Sequence, residues 1–115
     1  MKLQREEYSR SHDWIDQRSL ALDTAVAVKL RTQPELLQRA KDTLQKWIRQ
    51  RQPDVPGVLI EWQGILNTWS FEEILALLTS SDQEPTRLRQ SSPFCGILTQ
   101  EERTAIFQKY ETLRA

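Results

Sequence analysis

One cysteine and one histidine in 115 residues leave the chain without the raw material for several kinds of protein. Cys95 has no second cysteine to form an intramolecular disulfide, and with His12 alone it cannot assemble a Cys/His zinc cluster. A reducing cytoplasm is the compartment that fits. Three scattered glycines, Gly57, Gly64 and Gly96, supply no glycine-rich phosphate loop. The opening MKLQREEYSRSHDW lacks the apolar run of a signal peptide, and no stretch approaches the roughly 20 apolar residues that span a bilayer. An excess of one charge is also missing. Lys+Arg and Asp+Glu number 16 each, so the chain has no general attraction for nucleic acid or anionic membrane, and any such binding has to come from a local patch. These absences predict a cytoplasmic protein without metal, cofactor or membrane segment.

What is present reads as helix. A composition of 38% hydrophobic and 28% charged residues, at a length typical of one domain, fits a single globular core. Residues 1–12 are polar and aperiodic, which predicts a flexible N-terminal arm ahead of a helical domain over 13–115. From Asp13 to Arg31, the positions Ile15, Leu22, Ala25, Val26 and Leu30 follow helical spacing. Leu37, Ala40, Leu44, Trp47 and Ile48 form the clearest apolar stripe, flanked by Arg39, Lys41, Lys46 and Arg49. Pro53-Asp-Val-Pro-Gly57 must interrupt, because proline lacks an amide donor and restricts the residue before it. Val58, Trp62, Ile65, Leu66 and Trp69 resume the stripe, and Ile74, Leu75, Leu77 and Leu78 cover most of a short helix. Four start signatures punctuate the chain: Thr32 with Glu35, Ser70 with Glu73, Ser81 with Glu84, and Thr99 with Glu102. In each, a hydroxyl can accept from an orphan amide while the carboxylate reaches back, a capping box. The last of them opens a helix over about 100–113 that buries Ile106, Phe107, Tyr110 and Leu113. No segment alternates with period two. The expectation is an all-α fold, a compact bundle of five or six short helices.

Candidate chemistry is sparse. Glu72 and Glu73 read as first-turn carboxylates favoured by the helix dipole. Cys95 as a nucleophile needs a base, and His12 stands at the far end of the chain with no recognisable signature around it. Enzyme is therefore the least favoured class.

Charge distribution says more than its sum. Residues 32–52 carry five bases, Arg39, Lys41, Lys46, Arg49 and Arg51, against Glu35 and Asp42. Residues 53–86 carry six acids, Asp54, Glu61, Glu72, Glu73, Asp82 and Glu84, and no base. Such polarity either solvates two faces or complements a partner of opposite sign. Trp47, Trp62 and Trp69 fall on apolar stripes and are expected in the core, whereas Trp14 stands among polar residues and suits an interface anchor.

The densest feature is RLRQSSPFCGIL, residues 87–98. Pro93 and Gly96 should end one helix and steer the chain into the next, with Phe94, Ile97 and Leu98 in the core and Cys95 packed inertly. Arg87, Arg89, Ser91 and Ser92 then form an exposed polar rim with Phe94 as its anchor. Residues 70–90 also have the rhythm of a helix-turn-helix whose second helix carries Arg87 and Arg89. That pattern departs where glycine is common in the turn, here Thr79, and where a branched aliphatic is common, here Pro85; Glu72, Glu73, Asp82 and Glu84 would oppose phosphates.

RSLALDTAVAVKLRTQPELLQRAK, residues 18–41, together with TRLRQSSPFCGILTQEER, residues 86–103, resembles a group of short bacterial proteins with an S-L-A-L and an L-R-x-S-S-P-F-x-G-x-L pattern. The likeness covers about half the chain and is associated with toxin–antitoxin gene pairs. It implies a cytoplasmic prokaryotic protein whose partner is encoded by the adjacent gene, and it carries over no catalytic residue. The sequence thus predicts a non-enzymatic interaction module, antitoxin-like, contacting another protein through Trp14, Arg87, Arg89, Ser91, Ser92 and Phe94. The alternative is a DNA-binding regulator using residues 70–90; a homodimer is compatible with either.

Overall fold

A computed structural model of the chain describes the backbone of residues 2–114 and the side chains of residues 15–111. Among them lie six helices and no strand: α1 (Lys2–Thr32), α2 (Leu36–Gln50), α3 (Gly57–Thr68), α4 (Phe71–Thr79), α5 (Gln83–Arg89) and α6 (Gln100–Arg114). The all-α bundle expected from periodicity is what forms. Helical backbone continues N-terminally of Asp13 to Lys2, so the first helix is longer than its apolar spacing indicated. Where an aperiodic arm was expected over residues 1–12, the described backbone from Lys2 is helical, while the side chains of His12, Trp14 and Leu113, and with them their expected roles, lie outside the described residues.

The C-terminal half of α1 is the axis, because Val26, Ala27 and Leu30 are buried there and α4, α5 and α6 all pack against it. The α2–α3 hairpin adds Ala40, Leu44 and Ile48 from one helix and Leu59, Trp62, Ile65 and Leu66 from the other. Trp62 joins the two halves. Its ring is fully buried and meets Phe94 edge-on at 5.9 Å between centroids, while its indole Nε1–H donates to the Leu88 carbonyl at 2.9 Å. A buried tryptophan keeps its polar handle only where a partner waits, and the C-terminal turn of α5 supplies one.

Two of the four start signatures form as capping boxes. Ser70 accepts from the Glu73 amide at 3.1 Å while its own amide donates to Glu73 at 2.9 Å, and Thr99 with Glu102 repeats this at 3.1 and 2.7 Å. The box expected at Thr32 and Glu35 does not form. Thr32 belongs to α1, where its hydroxyl donates to the Lys29 carbonyl at 3.0 Å, and α2 starts after a Gln33-Pro34-Glu35 turn. The box at Ser81 and Glu84 is also absent, since Asp82 takes the N-cap position of α5 and Glu84 turns to Arg87. The two failures differ in cause: Thr32 gives its hydroxyl to a carbonyl of its own helix, a competing bond, whereas at α5 the N-cap falls one residue later than the signature marks.

Candidate interaction surface

Helix α5 is seven residues long and holds its two arginines in opposite environments. Arg89 enters the interior, its side chain only 4% exposed. There it donates to the carbonyls of Leu77 (3.3 Å) and Ser80, at the end of α4, and to the Thr86 hydroxyl at 3.2 Å. Its Nε lies 3.3 Å from the Asp23 carboxylate of α1. The guanidinium therefore caps α4, where carbonyls lack helical partners, and ties that end to α1. Burial pushes the Asp23 carboxyl up from 3.8 to about 7, with the Arg89 charge opposing that rise.

Arg87 points outward and bridges two carboxylates. It grips Glu61 of α3 with both terminal nitrogens at 3.0 and 3.1 Å and reaches Glu84, one turn back, at 2.9 Å. These two acids hold its guanidinium further toward the charged form than usual. One cation for two acids leaves this rim with one negative charge in excess.

The segment after α5 is pinned. Phe94, Ile97 and Leu98 are buried as expected, Ser92 accepts from the Phe94 amide at 3.2 Å, and Ser91 and Ser92 are half-buried. Cys95 is exposed, contrary to the inert packing expected of it, because the turn that buries Phe94 and Ile97 directs the intervening residues outward. The expected exposed rim of Arg87, Arg89, Ser91 and Ser92 is accordingly corrected: Arg89 lies inside, and Phe94 is core against Trp62.

The surface that sequence reasoning missed lies on the other side of Arg87. Ile60, Gly64, Ile65, Thr68 and Trp69 of α3 and its C-cap face Leu77, Pro85 and Leu88 across an open groove of about 540 Å³. Ile60 is 49% exposed and Trp69 41%, so the tryptophan expected in the core stands at the surface. The reason is local. Trp69 follows the last helical residue, and its extended backbone turns it out of the stripe that carries Trp62 and Ile65 inward. Ile60, Gly64 and Thr68 recur at i, i+4 and i+8, one outward row, and a side chain added at Gly64 would meet nothing within 4 Å. A signal for this face was present in Val58-Leu59-Ile60: three consecutive apolar residues on a helix span more than one face, so one had to point outward.

Among the described residues no group of acidic, histidine or cysteine side chains could hold a metal ion, and no helix is long and apolar enough to cross a membrane. Comparison of the chain with protein-family models, curated proteins and solved structures finds no match.

Proposed function

We propose that the protein is a non-enzymatic interaction module, antitoxin-like, that docks on a partner protein encoded by the adjacent gene through the groove of α3 and α5. The observation that carries this reading is the pair Ile60 and Trp69, two large apolar side chains left open beside an apolar floor of Ile65, Leu77 and Leu88. Exposed apolar surface of this kind, rimmed by polar groups, marks contact sites, and tryptophan is prominent among residues that carry binding energy. The RLRQSSPFCGIL segment supports the groove from behind: Phe94 packs on Trp62 of α3, Arg89 anchors α5, and Arg87 closes the rim. A cytoplasmic location and a partner-blocking role belong to the same proposal.

The test is co-expression with the adjacent gene product, followed by co-purification and a growth assay. Ile60→Asp should leave the helical circular dichroism spectrum intact and abolish both the complex and any protection of growth. A complex that survives Ile60→Asp, or no complex with that product, overturns the reading.

A second reading retains DNA binding, favoured by the consecutive helices α4 and α5 joined by a three-residue turn. Against it, Arg87 is taken by Glu61 and Glu84 and Arg89 is internal. Binding to the upstream DNA that weakens steeply with salt would support it, because displaced counterions drive such association. A gel shift empty at low salt would remove it.

A further inference from the structure

Resting on the groove reading above, we infer that the segment seated between α3 and α5 is a basic amphipathic helix of the partner protein, with aliphatic residues on one face and Lys or Arg beside them. The apolar floor asks for the aliphatic face. The charge around it asks for the rest. Glu61 and Glu84 together exceed Arg87 by one charge, Asp82 stands exposed at the start of the same helix, and Arg87 is the single base among the residues that line the groove. A cation brought to this rim relieves the competition of two carboxylates for one guanidinium, while an anion meets repulsion. The same field disfavours nucleic acid phosphates and anionic lipid headgroups as occupants of this face.

Geometry favours a helix over an extended strand. The groove is walled by helices and offers no unpaired strand edge, so an extended peptide would have no ladder of backbone bonds to join, whereas a helix satisfies its own backbone and needs only side-chain anchors. A second copy of the chain is a poor occupant among the described residues. Its basic amphipathic helix, α2, already buries Ala40, Leu44 and Ile48 in its own core, leaving no aliphatic face to donate.

The experiment uses the full chain and two labelled synthetic helices of about four turns, with identical leucines at i, i+4, i+7 and i+11. One carries lysines beside the leucines, the other glutamates. Fluorescence anisotropy should show the lysine probe binding at least about tenfold more tightly than the glutamate probe, and losing about tenfold in affinity as salt rises from about 0.05 to 0.5 M. Gly64→Leu places bulk in the groove, at a position where an added Cβ meets nothing within 4 Å, and should abolish binding with the helical circular dichroism spectrum unchanged. Glu61→Gln/Glu84→Gln leaves Arg87 unopposed and should erase the preference for lysine. Equal affinity for both probes, binding that survives Gly64→Leu, or self-association of the chain that Gly64→Leu disperses would each overturn the inference. The two proposals separate on the natural complex. If Ile60→Asp breaks it but salt and Glu61→Gln/Glu84→Gln do not, docking in the groove stands and the basic helix falls. If Ile60→Asp leaves it intact, the groove is not the partner's seat and both fall.

Discussion

The seam that joins α1 to α4, α5 and α6 and the open face of α3 and α5 are made from the same kinds of residue, with opposite outcomes. On the seam, polar groups bond across long stretches of sequence. Asp23 lies against Arg89, Lys29 bonds Glu102 at 2.7 Å, and Arg31 grips Glu72 at 3.0 and 2.9 Å. On the α3–α5 face the ion pairs stand at the edge, and apolar side chains remain uncovered between them. The difference teaches that an arginine's role follows from what surrounds it. Arg87 and Arg89 are two positions apart on one short helix, yet one is a rim charge and the other a structural bolt.

The sharpest way to break this comparison is to remove each arginine in turn. Arg89→Ala strips the α4 terminus of its donor and leaves Asp23 without its cation, so urea denaturation should register a loss of about 3–5 kcal/mol. Adding Asp23→Asn should recover part of that loss by removing the orphaned acid. Arg87→Ala should leave the denaturation midpoint where it is, as expected for an exposed pair. Equal effects of the two substitutions would erase the distinction.

Next in size is the pH dependence of the seam. The folded chain holds the Asp23 proton up to about 7, whereas the unfolded chain releases it near 3.8. Between those values the folded state binds more protons, so stability falls as pH rises and levels off above about 7. Glu102 acts with the opposite sign. The Lys29 ammonium and the Thr99 amide hold its carboxyl down to about 2, so its contribution is present above 4.5 and is lost as pH falls toward 2. Denaturation measured across pH should therefore peak between these regimes, and Asp23→Asn should flatten only the upper slope.

Smaller effects come from the caps. Ser70→Ala should cost about 1 kcal/mol, since the Glu73 amide loses the hydroxyl that accepts from it while the backbone amide at position 70 can still donate to the Glu73 carboxylate, and Ser81→Ala should be silent in the same melt. Gly64→Ala should raise stability by about 0.5–1 kcal/mol, because alanine favours helix and meets no obstruction there. On the open face the added methyl only makes the groove shallower.

Much of this architecture was legible from residues alone. The 3.6-residue period places Ala40, Leu44, Ile48, Trp62, Ile65 and Leu66 inside, since burying an apolar stripe is the dominant favourable term available to a helix. The boxes at Ser70 and Thr99 follow from bonds only three residues apart. Thr32 and Ser81 bear the same signature and do otherwise, because α1 runs on through Thr32 and Asp82 takes the N-cap of α5. The fates of Trp69, Cys95 and the two arginines were beyond pattern. Trp69 shares the spacing of a core stripe but lies one residue past the end of its helix.

Local periodicity and hydrogen bonding over a few residues thus determined, by themselves, the helices, their order and most of the core. Only the tertiary structure decided which charges meet across 26 or 66 residues of chain, as Arg87 does with Glu61 and Arg89 with Asp23, and which apolar side chains are left open. The physical reason is that burial and ion pairing depend on distance in space, and a linear pattern specifies that distance only within a single helix.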